Sequence, residues 1–180
     1  MVILIHKCQP VNRLTNDLTI QQLKILITGG KTATALKLAK AFDGKEILLG
    51  DYGDMPNINS SSYSFVELGE WNVEVLAHNL LTKCLDYGVD ILLPLYEAEI
   101  VALSKSLVLF EEFSIKILLP ETPQFDKNKY SHWAVFDDGE LLYTSVENSI
   151  ENNDNLKLKG AYYINNDTRT FNLISISNPE

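Results

Sequence analysis

The sequence predicts an α/β protein, with a Rossmann-like parallel sheet carrying helices on both faces and a small C-terminal antiparallel β extension. Apolar segments of strand length alternate with amphipathic helical segments between residues 23 and 119. These strand segments are rich in Ile, Leu and Val with few polar interruptions, which is typical of parallel strands buried on both faces. After Pro120 the pattern changes to alternating segments separated by polar turns, which indicates hairpins. Right-handed crossovers between the parallel strands favour the strand order 3-2-1-4-5.

The first unit of the fold is a strand that runs into a helix through two glycines. Residues Lys24–Thr28 predict the strand, Gly29 and Gly30 the turn, and residues 32–42 the helix. Residues 46–49 predict the next strand, which runs up to Asp51. A strand, a glycine turn and a helix in this order are typical of the first unit of a nucleotide-type α/β fold.

The rest of the parallel sheet follows the same alternation. The sequence predicts a strand, a helix, a strand, a long helix and a strand at residues 63–68, 72–87, 90–94, 97–113 and 115–119. The long helix depends on Ile100, Leu103, Leu107 and Phe110, whose spacing places them on one helical stripe. These elements define a Rossmann-like domain over residues 23–122, preceded by an N-terminal extension of residues 1–22.

Residues 123–180 are predicted to form an antiparallel β tail of two hairpins. The first pairs residues 130–136 with 140–143 across a turn that contains Asp138 and Gly139. The second pairs residues 159–164 with 170–177. One helical turn is predicted within residues 147–155. We expect this tail to cover an edge of the parallel sheet or to build an oligomer, because unpaired strand edges attract partners.

Composition excludes several classes of partner. The chain has 180 residues and a net charge of −9, with 15 Lys and Arg against 24 Asp and Glu, so no basic surface for nucleic acid is expected. The same acidity gives no attraction to anionic membranes, and no apolar run is long enough to span one. Cys8 and Cys84 form no disulfide framework, so we expect a cytoplasmic protein.

The corner formed by Thr28, Gly29, Gly30 and Lys31 is the first candidate ligand-binding site. Ligands in open α/β sheets gather at the carboxyl ends of strands, where glycines let a ligand approach backbone N–H groups. The dinucleotide fingerprint is incomplete, because Thr28 stands at the position of its first glycine, and the spacing of a P-loop is absent. The alternative is a strand–helix turn that binds nothing.

Asp51, Pro94 and Glu97 complete the candidate site. Asp51 ends the second strand about 20 residues after Gly30, where a dinucleotide-binding protein holds the ribose hydroxyls. The alternative for Asp51 is a turn residue that bonds its own backbone. With the order 3-2-1-4-5, Pro94 and Glu97 face the glycine corner across the crevice. Glu97 then contacts a ligand, or it stabilises the start of its helix together with Glu99.

No catalytic residue or metal ligand can be assigned from sequence motifs. The histidines, His6, His78 and His132, have no zinc-ligand spacing with one another or with cysteine. Nucleophile motifs such as G-x-S-x-G are absent. We therefore predict no metal site, and the sequence leaves the cofactor and the reaction unassigned.

Four segments, taken in order, carry a family resemblance. They are Lys24–Gly30, Leu49–Pro56 with its Gly-Asp-Tyr-Gly-Asp-Met-Pro motif, Gly88–Glu97 and Phe113–Pro120. This series resembles the N-terminal domain of ATP-grasp ligases, in particular the carbamoyl-phosphate-synthase-like members. Asp126-Lys127 is similar to the pair that opens the ATP-grasp domain proper in that family.

The resemblance implies a Rossmann-like domain whose crevice helps to bind an acid or amine substrate facing ATP. In that family a following domain holds the nucleotide, magnesium and phosphates, whereas here the residues after Lys129 predict hairpins. We therefore expect a stand-alone relative that binds a small carboxylate- or phosphate-bearing ligand, or a partner subunit, without ligation of its own. The partner would be a second copy or a subunit with the ATP-grasp catalytic domain.

Two other functions are compatible with the sequence. The first is an NAD(P)-dependent oxidoreductase or a dinucleotide sensor, in which Gly29, Gly30 and Asp51 carry the cofactor. The absence of the first fingerprint glycine weighs against it. The second is a pure protein-interaction module.

Overall fold

The computed structural model describes residues 22–58, 60–126, 128–146, 157–165, 168 and 170–179. The N-terminal extension, apart from Gln22, lies outside the described residues. So do Lys127, which belongs to the family resemblance, and the helical turn predicted within residues 147–155.

The predicted parallel sheet is confirmed, including its strand order. Its strands are β1 (Lys24–Thr28), β2 (Glu46–Asp51), β3 (Ser64–Glu67), β4 (Ile91–Leu93) and β5 (Lys116–Ile117). They lie in the order β3-β2-β1-β4-β5, and every pairing is parallel. The order reverses between β1 and β4, so the chain leaves the sheet in opposite directions from these two neighbouring strands. Their carboxyl ends therefore border a crevice.

Among the described residues, four α-helices cover the two faces of this sheet. They are α1 (Ala33–Leu38), which continues as a 3-10 turn over Ala39–Phe42, α2 (Leu76–Tyr87), α3 (Glu97–Ser104) and α4 (Leu107–Glu112). Because side chains alternate along a strand, Leu26 of β1 packs with α2, α3 and α4, whereas Ile25 and Ile27 pack with α1. None of the described helices has the length and apolar character needed to cross a bilayer.

The predicted helix over residues 97–113 is wrong as a single element, because it divides into α3 and α4. The division lies at Lys105 and Ser106. The Ser104 hydroxyl donates to the carbonyl of Val101 and the Ser106 hydroxyl to the carbonyl of Ala102. Serine hydroxyls bonded to backbone carbonyls compete with regular helical geometry, and this explains a break that the apolar periodicity does not signal.

The predicted hairpins form one antiparallel sheet. Its strands are β6 (His132–Asp137), β7 (Glu140–Thr144), β8 (Gly160–Asn165) and β9 (Thr170–Leu173), in the order β7-β6-β8-β9. The Asp-Gly turn between β6 and β7 is confirmed: Asp138 and Gly139 both have positive φ, 50° and 90°, as a two-residue hairpin turn requires. Pairing between β6 and β8 joins the two hairpins.

The second sheet contributes side chains to the buried clusters on both faces of the parallel sheet. Trp133, Val135, Ala161 and Ile174 belong to the same buried cluster as the β1 residues that pack with α1. The pleat explains this arrangement, because Trp133 and Val135 alternate with residues that point to the opposite side of β6. The antiparallel sheet therefore shares a core with the Rossmann-like unit.

The last described residues return to the parallel sheet. The strand predicted over residues 170–177 ends at Leu173, and residues 174–179 form what we call the closing segment. Ile176 pairs in parallel with Tyr96, the residue that precedes α3. Its N–H donates to the Leu95 carbonyl at 2.8 Å, and its carbonyl accepts from the N–H of Glu97 at 3.2 Å.

Candidate functional site

The crevice is bordered by residues 28–31, Asp51 and residues 94–97, at the carboxyl ends of β1, β2 and β4. The structure brings these predicted site residues together. The N–H of Leu95, next to Pro94, donates to the Thr28 hydroxyl at 2.8 Å. The N–H of Lys31 donates to Asp51 at 2.9 Å. Pro94 is buried, whereas Glu97 is exposed at the start of α3.

Gly30 provides close packing against the neighbouring strand. A Cβ added to Gly30 would lie 2.6 Å from the carbonyl carbon of Leu49 and 2.8 Å from its oxygen. The N–H of Gly30 donates to the carbonyl of Gly50 at 2.9 Å. In the dinucleotide fingerprint the equivalent glycine leaves space for a pyrophosphate. Here the backbone of β2 occupies the space that a Cβ of Gly30 would need.

Asp51 is buried and is held by three donors from this protein. Its Oδ2 accepts from the N–H of Lys31, and its Oδ1 accepts from the N–H of Tyr52 at 2.9 Å and from the Tyr96 hydroxyl at 2.7 Å. The side chain is 1% exposed. Both oxygens of the Asp51 carboxylate therefore already accept hydrogen bonds from the protein itself. The bond from Tyr96 also joins the carboxyl end of β2 to the residue that precedes α3.

Lys31 lies over the same corner from the solvent side. Its Nζ donates to the carbonyl of Tyr52 at 2.7 Å, while its backbone N–H faces Asp51. An amide that already binds a carboxylate is not free to bind a phosphate. An anionic ligand at the glycine corner would need the backbone N–H of Lys31 as a donor. That N–H is already bound to Asp51.

Glu99 is the central polar residue of the site, whereas the sequence pattern predicts for it only a role at the helix start. Its side chain is 0% exposed. It accepts from the Thr28 hydroxyl at 2.5 Å and from the Tyr52 hydroxyl at 2.6 Å. Burial raises the pKa of Glu99 to about 7, against the lowering effect of these hydrogen bonds. A signal was present, because Glu99 lies one turn before Leu103 on the buried face of α3.

Two tyrosines and a tryptophan surround the carboxylates. The ring of Trp71 lies 4.7 Å from that of Tyr52 and 5.5 Å from that of Tyr96, measured between centroids. Burial, followed by the neighbouring carboxylates, raises the pKa of both tyrosine hydroxyls well above the ordinary value. Both hydroxyls therefore remain protonated and act as hydrogen-bond donors to Glu99 and Asp51.

The closing segment fills the mouth of the crevice. Gly29 has a φ of +66°, and a Cβ added to residue 29 would collide with the Cδ1 atom of Ile176. The Ser175 hydroxyl donates to Glu97 Oε1 at 3.3 Å, and the N–H of Ala98 donates to Asn178 Oδ1 at 2.9 Å. Both the side chain and the backbone of Glu97 thus contact the closing segment.

An open groove of about 460 Å³ begins beside the closing segment. It runs between the start of α2 and the exposed side of α3, and six of its lining residues are Val73, Leu76, Val101, Lys105, Phe125 and Asn178. Val73 is 60% exposed and Phe125 is 41% exposed. This groove therefore presents apolar side chains to solvent directly next to the filled crevice.

Groups that could hold a metal ion are not assembled in the described part of the chain, and its one described cysteine is not a reactive thiol. Within it, no three His, Cys, Asp or Glu residues lie close enough to hold a metal ion. Cys84 is buried in the core, and its burial raises the pKa of the thiol to about 12. A thiol in that environment is not a nucleophile at neutral pH.

No model of a known protein family matches the sequence, and no curated protein matches it either. The resemblance to ATP-grasp N-terminal domains therefore stays a prediction from sequence segments.

Tyr96→Phe is expected to lower the free energy of unfolding by about 1–2 kcal/mol, because it removes a buried hydrogen bond to the Asp51 carboxylate. Urea denaturation of the variant and the wild type measures this difference. Tyr87→Phe is the matched control, since the Tyr87 hydroxyl bonds a backbone carbonyl at an exposed position. Equal losses in the two variants would contradict a special contribution from the Tyr96–Asp51 bond.

Proposed function

We propose that this chain is a binding module for a protein partner and does not catalyse ligation on its own. The observation that carries the proposal is the position of Ile176, which fills the crevice of the Rossmann-like unit at Gly29. The crevice is the usual ligand position in this architecture. Because the chain supplies its own occupant there, binding is directed to the adjacent surface, where the groove exposes Val73, Val101 and Phe125.

The local charges also disfavour a small anion in the crevice. Asp51 and Glu99 are both buried beneath it, and the amide of Lys31 already binds Asp51. A carboxylate or phosphate entering between Gly29 and Glu97 would have to displace Ile176 and would meet carboxyl groups on arrival. The NAD(P) alternative has the same difficulty, because Asp51 would have to release three donors to accept a ribose hydroxyl.

Two classes of partner come from the sequence argument: a second copy of this chain and a subunit that carries an ATP-grasp catalytic domain. Both would bury the exposed apolar side chains of the groove, which stabilises a complex in proportion to the apolar area removed from water. The mass of the complex in sedimentation distinguishes the two classes. A cytoplasmic location, expected from the cysteine content, belongs to the same proposal.

The test combines a ligand screen with a capture experiment. ATP, NADH, NADPH, phosphate and glutamate should each leave the Tm of the wild-type chain unchanged. In the capture experiment, a protein retained by the wild-type chain should be lost by the Val73→Asp/Val101→Asp variant. It should still be retained by Val108→Asp, an exposed position outside the groove lining.

A Tm increase with a nucleotide or a small anion would contradict the proposal. Retention of the same protein by the wild type and both variants would equally contradict a role for the groove. Circular dichroism of each variant confirms that the comparison is made between folded chains.

A further inference from the structure

We infer that Glu99, Tyr52 and Trp71 form a pH-sensitive switch: Glu99 binds one proton from solvent while the chain stays folded, and Tyr52 passes the change to Trp71. This inference concerns proton binding and does not depend on the proposed partner. It is carried by the surroundings of a fully buried carboxyl group whose two oxygens bond two different hydroxyl groups.

Glu99 is buried without a cation beside it. Among the described residues, the elements packed against it present these titratable groups: Asp51 and Tyr52 from β2, Tyr96 from the position before α3, and Cys84 from α2. None of them is a cation, and one is a second carboxyl group. Burial without a counter-charge favours the neutral form of Glu99 and raises its pKa to about 7, so proton exchange falls near neutral pH.

The hydrogen bonds of Thr28 determine which oxygen of Glu99 takes the proton. The Thr28 hydroxyl donates to Glu99 Oε2 and accepts from the N–H of Leu95 at 2.8 Å. If Oε2 were protonated and donated to Thr28, the hydroxyl hydrogen of this fully buried residue would lose its acceptor, which is costly. Oε1 bonds the Tyr52 hydroxyl, for which the described contacts give no second hydrogen bond. The proton therefore binds Oε1.

Protonation at Oε1 reverses the hydrogen bond between Glu99 and Tyr52. In the ionised form the Tyr52 hydroxyl donates to Oε1 at 2.6 Å. In the neutral form Oε1 donates to the phenolic oxygen, and the phenolic hydrogen turns away from Glu99. The Tyr52 ring lies edge-on against Trp71, with 4.7 Å between the centroids. Because protein interiors are close-packed, a shift of Tyr52 is transmitted to Trp71.

Carbon NMR of protein labelled at the glutamate side-chain carboxyl follows the proton directly. The Glu99 signal of the wild type, assigned through bonds from its backbone amide, should titrate in one step with a midpoint at about pH 7. Circular dichroism over the same pH range should show a folded chain throughout. This measurement needs no variant, so it does not depend on whether a substitution at Glu99 folds.

Fluorine NMR of protein labelled with fluorotryptophan tests the response of Trp71. The chain has two tryptophans, so two signals are expected, and Trp71→Phe assigns them. The Trp71 signal should shift with the same midpoint as the Glu99 carboxyl, and Glu99→Gln should abolish the shift. His78→Gln removes the histidine of α2 and should leave the shift in place.

Two tyrosine variants test the path between Glu99 and Trp71. Tyr52→Phe keeps the ring and removes the hydroxyl that bonds Glu99, so the pH-dependent shift of the Trp71 signal should fall at least twofold. Tyr96→Phe is the matched control. Its ring also lies near Trp71, at 5.5 Å between centroids, but its hydroxyl bonds Asp51, so the shift should be kept.

A Glu99 carboxyl that titrates near its ordinary value of 4.5 in the folded chain would overturn the inference. A Trp71 shift that persists in Glu99→Gln, or that is lost in His78→Gln, would overturn Glu99 as its source. Equal Trp71 shifts in Tyr52→Phe and Tyr96→Phe would overturn the role of Tyr52. None of these results bears on capture of a partner by the groove, so the proposed function is tested separately.

Discussion

Glu99→Gln is expected to gain about 3 kcal/mol in stability relative to the wild type as the pH rises from 4 to 8. The pKa of Glu99 is raised from 4.5 to about 7 by burial, and each unit of difference between folded and unfolded states corresponds to about 1.4 kcal/mol. Glutamine keeps an acceptor oxygen for Thr28 or Tyr52 and has no charge to bury.

The direction of this pH dependence follows from which state holds the proton. Below pH 4.5 Glu99 is neutral in both states, and its contribution to stability is fully present. Between pH 4.5 and about 7 the unfolded chain releases the proton while the folded chain keeps it, so stability falls as the pH rises. Above pH 7 both states are ionised and the loss is complete.

Urea denaturation of the wild type and Glu99→Gln at a series of pH values measures this difference. Other titrating groups cancel, because the two proteins share them. Glu97→Gln is the control for removing a carboxylate from the same helix, since Glu97 is exposed at the start of α3. The two proteins could instead differ in free energy of unfolding by the same amount at every pH. That result would show that burial of Glu99 does not control its ionisation.

Gly30→Ala is expected to lower the free energy of unfolding by about 3 kcal/mol or more. Its Cβ would lie 2.6 Å from the Leu49 carbonyl carbon, and backbone atoms of an interior strand cannot move aside as a side chain can. Separation of the glycine corner from β2 would also weaken the bond between the Gly30 N–H and the Gly50 carbonyl. The change in the urea midpoint measures the effect.

Gly44→Ala provides the matched comparison for Gly30→Ala. Gly44 has a φ of +77°, and a Cβ there would meet no atom within 4 Å, so only the conformational cost of about 1 kcal/mol applies. Similar losses in the two variants would mean that β2 adjusts to a methyl group at Gly30. A loss of about 1 kcal/mol or less in Gly30→Ala would therefore contradict the steric account.

The parallel sheet could be predicted because the sequence pattern that marks each strand is local and recurs along the chain. Runs of Ile and Leu at residues 24–28, 46–49 and 90–94 mark strands buried on both faces, and the right-handed crossover rule leaves few strand orders. The strand order, the glycine corner and the Asp138-Gly139 turn were all available from these patterns. Strand ends differ by only a few residues from the predicted ones, except at β9.

The occupant of the crevice could not be predicted in the same way. Ile176 contacts the Leu95 backbone, which is about 80 positions earlier in the chain, and nothing in the segment Ile174–Asn178 distinguishes it from the end of an ordinary strand. The sequence predicts Glu99 only as a helix-start residue, because its hydrogen bonds from Thr28 and Tyr52 depend on the assembled sheet. The break between α3 and α4 depends on serine hydroxyl bonds, which apolar spacing does not encode.

The face formed by Ile25 and Ile27 packs against residues that are synthesised much later, namely Trp133, Val135, Ala161 and Ile174. A ribosome adds about 5–20 residues per second, so Ile25 and Ile27 emerge several seconds before Trp133, Val135, Ala161 and Ile174 can cover them. During that interval the nascent chain exposes an apolar surface to which chaperones would bind. For the same reason, a fragment expressed only to residue 122 should aggregate, although its strands and helices are all encoded within it.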